Sequence, residues 1–553
     1  MIVVTMFIDA CTYTRNGKTY RRVLLRNAYR VDGKVRHDTL ANLSMCSDEE
    51  INALKLALKH KKTVTSLGHV QQHLHTAQGL GFGAVWVFYQ LAETLGLRQA
   101  LGGSRWGKLS LWLIMATLIE PGSRLSATRL AQRHHVCDVL KVEDFNENDL
   151  YRALDELARR QHEIEDELFA FRYGNNTPHF YLYDVTSSYF EGQQNELAAY
   201  GYNRDKKKGK KQIVIGLMTD DTGRPIAIEV FEGNTPDPRT VAHQIQTMAA
   251  RFKVVEVTLI GDRGMLKQAQ LDHLRKHDFN YITSITKPQL EALVKKNVLP
   301  VEGFTDKLIE VIADDIRYVL HRNPVRAQEI ALNRQDKFNT LQAIVEKKNA
   351  YLQAHPRAQL STALAHLLKK AAQLKIHTWI ELTVQEGIIC LQEKAVEKQQ
   401  VAQWDGCYVI KTNLTTTTLT GETIHTRYKE LAFVEHAFRT MKTTLLEMRA
   451  IYVRKANRTR AHVFVIMLAY LIAHHLRQQW YLLEATVEEG IAELASICTL
   501  SLSLPGHGTW QTIPAIRPLA IALLDKLNLR LPTSFTTIGA TVVTTKQLVT
   551  QRI

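Results

Sequence analysis

The spacing of apolar and polar positions changes along the chain and divides it into segments of different predicted structure. Residues 1–45 alternate apolar and polar positions around two turn signals, Asn16-Gly17 and Asp32-Gly33, which predicts a small antiparallel sheet. From about residue 48 to residue 172 the apolar positions recur with a helical period. The chain is therefore predicted to begin with a β-rich region and to continue with a helical region.

The helical region contains several predicted helices. Ser66–Gly102 and Leu109–Ile119 are apolar enough to pack as core helices. Further on, SATRLAQRHHV (126–136) and NENDLYRALDELARR (146–160) predict two helices joined by a short link, the second with a good capping sequence. Such a pair can dock in the major groove of DNA, but helix pairs are also common in proteins that bind no DNA.

From Pro178 the pattern changes to that of strands, with many aromatic and β-branched residues. Three strands are predicted in succession, at His179–Phe190, Gln212–Thr219 and Pro225–Phe231, and their short connections indicate an antiparallel meander. A helix is predicted over Arg239–Phe252.

A β-α-β unit is predicted next. Val254–Ile260 is an almost continuous apolar run, which is typical of a strand covered on both faces. The helix Leu266–His277 and the strand Tyr281–Ile285 follow it. The predicted order is therefore three antiparallel strands, helix, strand, helix and strand.

Residues 288–400 interrupt this order and are interpreted as an insertion domain. Leu308–Leu320 and Ile376–Leu391 contain strand-like stretches, whereas Ala327–Leu374 is strongly helical and dense in Lys, Arg and Gln. A surface with this charge is either solvated or DNA-facing, and the sequence leaves both interpretations open. Strand character returns at Gly406–Thr412, and helices are predicted to continue to Trp480.

The stretch Tyr428–Lys442 (YKELAFVEHAFRTMK) is predicted to form one amphipathic helix. Its apolar stripe consists of Leu431, Val434, Phe438, Met441 and Leu445. Tyr428, Glu435 and Lys442 lie on a second line about a quarter-turn away, with Arg439 beside them. Glu435 is thus predicted at the wall of a cleft, although a solvated charged flank would have the same pattern.

Three carboxylates occupy unusual positions in this scheme. Asp184 interrupts an apolar strand, where an acid is costly unless it is paired or binds a metal. Asp262 follows the carboxyl end of the fourth strand, where open α/β sheets bind ligands. Together with Glu435 they can converge near one sheet edge. Three such oxygen donors suit Mg²⁺ or Mn²⁺ and two-metal phosphoryl transfer.

Basic residues lie close to these acids in the sequence. The run at 204–211 precedes the second strand and can contact phosphates, although a solvated hairpin tip is an equal alternative. The candidate DNA contacts here are Arg204, Lys206, Lys207, Lys208, Lys210, Lys211 and, beside the second acid, Arg263.

Composition indicates a class of partner and argues against disulfide, zinc-ribbon and membrane-spanning proteins. The net charge of +15 over 553 residues favours a polyanionic partner, most often nucleic acid, over a merely basic soluble protein. The six cysteines have no C-x-x-C spacing, which argues against a zinc ribbon or disulfide framework and fits the cytoplasm. We expect no signal peptide, and the longest apolar runs are shorter than the ~20 residues that a membrane span needs.

Five motifs in a fixed order resemble bacterial insertion-sequence DDE transposases. They are YDVTSSYFEG, YGYNRDKKKGKKQ, FEGNTPDPRT, GDRGM and YKELAFVEHAFRTMK, and the likeness extends from about residue 178 to residue 480. The branch resembled has a glutamate helix with the pattern Y-x2-R-x3-E-x6-K. The resemblance implies a ribonuclease-H-like core, split by an insertion domain before that helix.

The resemblance also implies roles for particular residues. The catalytic acids correspond to Asp184, Asp262 and Glu435, and the tyrosine and lysine that contact the transposon end correspond to Tyr428 and Lys442. The arginine position of the family holds a leucine at 431, so Arg439 or Lys429 is a candidate to replace its phosphate contact. Mg²⁺, with Mn²⁺ as a substitute, would be the cofactor. The partners would be double-stranded DNA, as terminal inverted repeats and target, bound by a homodimer on paired ends, with no membrane.

The whole chain is accordingly predicted to be an α/β (α+β overall) protein with a ribonuclease-H-like catalytic core. Its predicted parts are an N-terminal β-hairpin region (1–47), a helical, DNA-binding domain (48–175), the core in two pieces (176–287 and 405–480), the insertion domain (288–404) and a C-terminal helical region with a tail (481–553). The predicted function is cleavage and strand transfer of DNA in the bacterial cytoplasm, at the nucleoid. The alternatives are a metal-dependent nuclease of the same fold and a DNA-binding derivative without catalysis.

Overall fold

The computed structural model of the protein divides into two compact units. It describes residues 5–15, 18–31, 33–61, 75–192, 194–202, 204, 207, 209–247, 251–252, 257–442, 445–448, 452–504, 508–534 and 536–545. The first unit consists of Met1–Gly79 with Cys498–Pro514, and the second of Leu80–Ile497 with Ala515–Ile553.

The first unit contains the predicted N-terminal sheet. Strands β1 (Thr5–Arg15), β2 (Lys18–Val31) and β3 (Lys34–Asn42) form an antiparallel meander, followed by helix α1 (Asp48–Lys59). Of the predicted turn residues, Asn16, Gly17 and Asp32 lie outside the described residues. A second sheet in this unit has the order β16-β15-β4. Its strands are β4 (His75–Gly81), β15 (Cys498–Leu504) and β16 (Gly508–Thr512).

An eight-stranded sheet organises the second unit. Its order is β10-β11-β14-β9-β8-β5-β6-β7. The strands are β5 (Phe180–Tyr189), β6 (Gln212–Asp220), β7 (Pro225–Glu232), β8 (Thr258–Gly261), β9 (Asn280–Ser284), β10 (Ile309–Ala313), β11 (Ile316–Arg322) and β14 (Cys407–Thr412). The predicted meander is confirmed, because β5, β6 and β7 pair antiparallel, and β8 and β9 add to β5 in parallel.

Helices cover this sheet. Helices α8 (Asp237–Thr247) and α9 (Gln268–Lys276) share a hydrophobic core with Tyr181, Tyr183 and Val185 of β5. Because side chains alternate along a strand, Asp184 belongs to the opposite face. Helices α15 (Leu431–Lys442) and α16 (Ala456–Trp480) pack against β5 and β7 respectively.

The predicted helical region consists of α2 (Gly83–Thr94), α3 (Leu97–Leu101), α4 (Arg105–Ile119), α5 (Arg124–Ala131), α6 (Val136–Leu140) and α7 (Glu147–Tyr173). Helices α4 and α7 both pack on α16. Among the described helices, α16 alone is long and apolar enough to cross a membrane, but 83% of its most apolar window is buried inside the protein. It is the central helix of this core.

The segment interpreted as an insertion has two structurally different parts. After α10 (Lys287–Lys295), strands β10 and β11 extend the central sheet through the pairing of β11 with β14. The remainder has its own hydrophobic core, which includes Leu341, Leu367 and Trp379. Its elements are α11 (Pro324–Ala354), α12 (Leu360–Gln373), β12 (Ile380–Gln385), β13 (Ile388–Glu393) and α13 (Ala395–Ala402). The strand and helix types predicted for this segment are confirmed.

Four predicted elements differ from the structure. The helix predicted over 126–136 ends at Ala131 in α5, and a separate helix, α6, begins at Val136. Ser66–Gly102 is not helical throughout, because His75–Gly81 is a strand that pairs with β15. The stretch Tyr428–Lys442 is not one helix. Helix α14 (Gly421–Lys429) ends before Glu430, and α15 begins at Leu431. Lastly, the C-terminal region is not only helical, because the hairpin β15–β16 separates α17 (Val487–Ala495) from α18 (Pro518–Lys526).

Candidate active site

The register of two parallel strands brings Asp184 and Asp262 together. Tyr183 in β5 pairs with Gly261, the last residue of β8. The residue after each of these two is an aspartate, Asp184 within β5 and Asp262 just beyond β8. Neighbouring strands are only about 4.8 Å apart. Asp262 is exposed beyond the end of β8, whereas Asp184 is half-buried within β5.

Glu435 reaches the same place from helix α15. The apolar stripe predicted for this helix is confirmed at Leu431, Val434, Phe438 and Met441, which are all buried, whereas Leu445 is buried but lies beyond the end of the helix. Packing of that stripe against β5 leaves Glu435 exposed at the flank. A cleft of about 660 Å³ is lined by Glu435, Asp184 and Asp262. The structure thus brings the three predicted acids to one cleft.

The pKa of Asp184 responds to its burial and to both other acids. Burial raises the pKa of its carboxyl from the ordinary 3.8 to about 7, and the charges of Glu435 and Asp262 add to the rise. The backbone N–H of Val185 and the guanidinium of Arg204 act in the opposite direction on this pKa. Burial and the two neighbouring carboxylates therefore disfavour the ionised form of Asp184 more than Val185 and Arg204 favour it.

The three carboxylates fit a divalent cation by their chemistry. Hard oxygen donors with few other ligands suit such an ion, and a cation would offset the repulsion that acts on Asp184. Among the described residues, no group of three His, Cys, Asp or Glu side chains has the spacing of a formed metal site. The cleft thus provides the donors but not a closed coordination cage.

Tyr428 lies beside the acids although it belongs to the preceding helix. Its hydroxyl donates a hydrogen bond of 2.8 Å to Ser284 Oγ, at the end of β9. Burial raises the pKa of the Tyr428 phenol, the hydrogen bond to Ser284 lowers it, and the charges of Asp262 and Glu435 raise it further. Tyr428 is thus a neutral hydroxyl held in the wall of the cleft.

The predicted basic run is only partly available to a ligand. Arg204 lines the cleft, but its Nη2 contacts both carboxylate oxygens of Asp237 at 2.6 Å. Lys210 forms an ion pair with Glu191 at 2.5 Å. Lys207 and Lys211 lie over the rings of Tyr189 and Tyr200, each at 5.9 Å from the centroid. Lys206 and Lys208 lie outside the described residues.

The other candidate contacts are distributed between the cleft and its surroundings. Arg263 and Lys429 line the cleft, as does Leu431, which holds the arginine position of the resembled motif. Arg439 and Lys442 follow Glu435 on α15 by about one and two turns. Neither belongs to the part of the cleft lining that the structure describes. Of the two candidates to replace the missing arginine, Lys429 is the one in the cleft.

Sequence reasoning missed several residues at the cleft. Ser284 and Tyr408 line it from β9 and β14. The Tyr408 hydroxyl contacts His425 Nε2, and burial lowers the pKa of this histidine to about 4. No local pattern marks either residue, because each is brought to the cleft by strand order.

Comparisons with known proteins support the same chemistry. Residues 176–472, more than half of the chain, match the family described as "Transposase DDE domain". Residues 10–71 match "IS1634 family transposase, N-terminal domain". No curated protein matches the sequence.

A solved structure shows a weak likeness. It is described as a cryo-EM structure of the piggyBac transposase synaptic complex with hairpin DNA, and the TM-score is 0.35 at 10% identity, over 74% of this chain and 76% of that one. At this TM-score the likeness carries no argument about the fold.

The family matches confirm the resemblance found in the motifs, and DDE transposase domains generally use divalent metal ions. The chain therefore belongs to the DDE transposases of insertion sequences, and it is a DNA transposase.

Proposed function

We propose that Asp184, Asp262 and Glu435 are the catalytic acids of this transposase and that they hold Mg²⁺, for which Mn²⁺ can substitute. The observation that carries this proposal is the convergence of the three carboxylates in one cleft. The raised pKa of Asp184, caused first by burial and then by the charges of both other acids, agrees with it. Three carboxylates at one place are a donor set that suits a divalent cation.

The reaction follows from the positions of these groups. Bound metal would activate water or a 3′-hydroxyl and stabilise the leaving oxygen of an in-line displacement. The acids would bind the metal in their ionised form. Arg263 and Lys429 line the same cleft and would supply positive charge for phosphates near the scissile bond. Tyr428, fixed by its bond to Ser284, supplies a neutral polar contact.

The sheet topology supports a ribonuclease-H-like core. Counted along the chain from β5, the strands of the predicted core lie in the order 3-2-1-4-5, with the first three antiparallel and the last two parallel. The insertion domain would lie between β9 and β14, with β10 and β11 forming its sheet-extending part. The proposed core boundaries remain 176–287 and 405–480.

The DNA partners are part of the same proposal. The terminal inverted repeats and the target would bind along a protein whose net charge is +15, and a homodimer would hold paired ends. Arg439, Lys442 and the lysines of the 204–211 run are proposed to contact DNA outside the described cleft lining, and Arg204 is proposed to contact it in the cleft. The protein would act in the cytoplasm at the nucleoid.

A cleavage and joining assay tests the assignment. DNA that carries the element's own ends is incubated with Mg²⁺, Mn²⁺ or EDTA, and wild type is compared with Glu435→Gln. We expect metal-dependent nicking and joined products from wild type and neither from the variant, with DNA binding retained. Glu422→Gln is the matched control, because Glu422 is an exposed residue of α14 outside the described cleft lining.

The other outcomes separate the alternatives. Nicking without joined products would favour a nuclease. DNA binding without cutting in either metal would indicate a derivative that has lost catalysis. Glu435→Gln cutting at the wild-type rate would remove Glu435 from the site.

A further inference from the structure

A second cavity of the catalytic unit has a different character from the carboxylate cleft. It measures about 500 Å³ and shares no described lining residue with that cleft. It lies between the start of α5 and the start of α16. Its charged lining residues are Arg124, Arg454, Lys455, Arg458 and Glu447. Cations therefore outnumber acids among the described lining residues.

Arg124 is a buried cation without a carboxylate partner. Only 8% of its surface is exposed. Its Nη2 donates to the carbonyl oxygen of Gly122 at 2.9 Å, and Nη1 lies 3.4 Å from Nδ1 of His462. Its Nε has no hydrogen-bond partner, and no Asp or Glu pairs with this guanidinium, within the part of the chain that the structure describes.

Among the described residues, the contacts of the Arg124 guanidinium are a carbonyl oxygen and a neutral imidazole, and no carboxylate balances its charge. Burial without a counter-charge is costly for a guanidinium, which stays protonated in proteins. His462 does not add to the charge, because burial and Arg124 lower its pKa to about 3. Its neutral ring can therefore accept from Arg124 Nη1. The buried fork is oriented by neutral groups, and part of its donor capacity remains unused.

The other groups at the cavity favour the binding of an external anion. Arg454 and Lys455 are exposed at the cavity, whereas Arg458 is already paired with Asp155 at 2.6 Å. Helix α16 begins at Ala456 without a side-chain cap from Lys455, and the positive end of a 25-residue helix favours an anion. The Ala456 N–H itself bonds to Glu196 at 3.2 Å. Glu447 is the opposing charge.

We propose that this cavity binds a phosphate group of the DNA backbone, with the Arg124 fork as its anchor and with Arg454 and Lys455 as further contacts. A guanidinium fork matches the oxygens of a phosphate, and a buried one is pre-oriented for them. Only the source of the phosphate rests on the proposed DNA-acting function. Binding of free phosphate needs no catalysis, so it can succeed or fail independently of the transposition assay.

The first experiment uses inorganic phosphate and the full-length protein. Thermal unfolding is followed as phosphate replaces chloride at constant ionic strength, since a ligand of the folded state raises the unfolding temperature. We expect saturable stabilisation of the wild type. Arg124→Lys, which keeps the charge but loses the fork, is expected to raise the half-saturating phosphate concentration by about tenfold.

The second experiment identifies the source of the phosphate. The affinity for duplex DNA without element ends is measured against salt concentration, where each lost phosphate contact reduces the slope by about 0.9. The double variant Arg454→Gln/Lys455→Gln is expected to reduce the slope by about 1 to 2. Lys347→Gln/Lys369→Gln removes the same charge from exposed helix positions and is expected to leave phosphate stabilisation unchanged.

Each result decides the proposal. The site is overturned if phosphate does not specifically stabilise the wild type. It is also overturned if the control pair loses as much phosphate stabilisation as the double variant. Stabilisation that depends on Arg124 while the DNA slope is unchanged in the double variant overturns the DNA source and leaves a site for free phosphate. If Arg124→Lys does not fold, the double variant alone decides, because both of its residues are exposed.

Discussion

Asp184→Asn is expected to abolish cleavage and yet to stabilise the metal-free protein above pH 7. In the folded chain the pKa of Asp184 is raised from 3.8 to about 7. Between these values the native state binds more protons than the unfolded state, so stability falls as the pH rises. Above pH 7 Asp184 is ionised in the folded chain, and the full free-energy cost of this ionisation lowers the free energy of unfolding by at most about 4 kcal/mol. An amide of the same shape removes that cost.

The assay is urea unfolding in EDTA, followed by far-ultraviolet circular dichroism at several pH values. Relaxation of the site and residual structure in the unfolded chain make the real difference smaller than this maximum. We therefore expect the free energy of unfolding of the variant to exceed that of wild type by about 2 kcal/mol at pH 8. At pH 4 the two proteins are expected to agree. Added Mg²⁺ is expected to stabilise wild type more than the variant, because the ionised Asp184 is a proposed ligand.

Asp262→Asn is the matched control. Asp262 is exposed, so its carboxylate keeps its solvation, and the substitution is expected to change stability by no more than about 0.5 kcal/mol. The reasoning is refuted if Asp184→Asn is less stable than wild type at pH 8. It is also refuted if the difference between the two proteins is the same at pH 4 and pH 8.

Three further substitutions test the packing around the site, each by chemical unfolding. Tyr428→Phe removes the hydrogen bond to Ser284 and is expected to cost about 1 kcal/mol; no loss would mean that this bond is not formed in solution. Arg251→Met leaves the fully buried Glu165 without its ion pair and is expected to cost about 3–5 kcal/mol. Because burial raises the pKa of Glu165 to about 7 and the loss of Arg251 would raise it further, this loss should be greater at pH 8 than at pH 5, and an equal loss would contradict it. Phe438→Ala opens a cavity under α15 and is expected to cost about 3–5 kcal/mol, whereas a cost below 1 kcal/mol would show that the helix repacks.

Most element types in the core could be predicted from local sequence patterns. The meander, the β-α-β unit and the buried stripe of α15 were predictable because the alternation of strands and the 3.6-residue helical period are local properties. The three acids were also predictable from where they interrupt or follow apolar runs. Their catalytic role, the metal and the DNA contacts remain proposals, whereas the family follows from motifs in a fixed order.

The way in which distant segments meet could not be predicted from local patterns and is known from the fold. The register of β5 against β8 places Asp184 beside Asp262, and a register is set by pairing between strands that are far apart in sequence. The end of α14 at Lys429 separates Tyr428 from the glutamate helix, although the local pattern continues through the break.

Pairing and burial of charges were likewise beyond the sequence. Arg204 belongs to a basic run, yet in the fold it contacts Asp237, which follows 33 positions later. Arg124 looks like an ordinary helix-start residue, and only the packing of α5 near His462 makes it a buried cation. A charge is a local property of the sequence, but its solvation and its partners are properties of the folded chain, and these decide what the charge can bind.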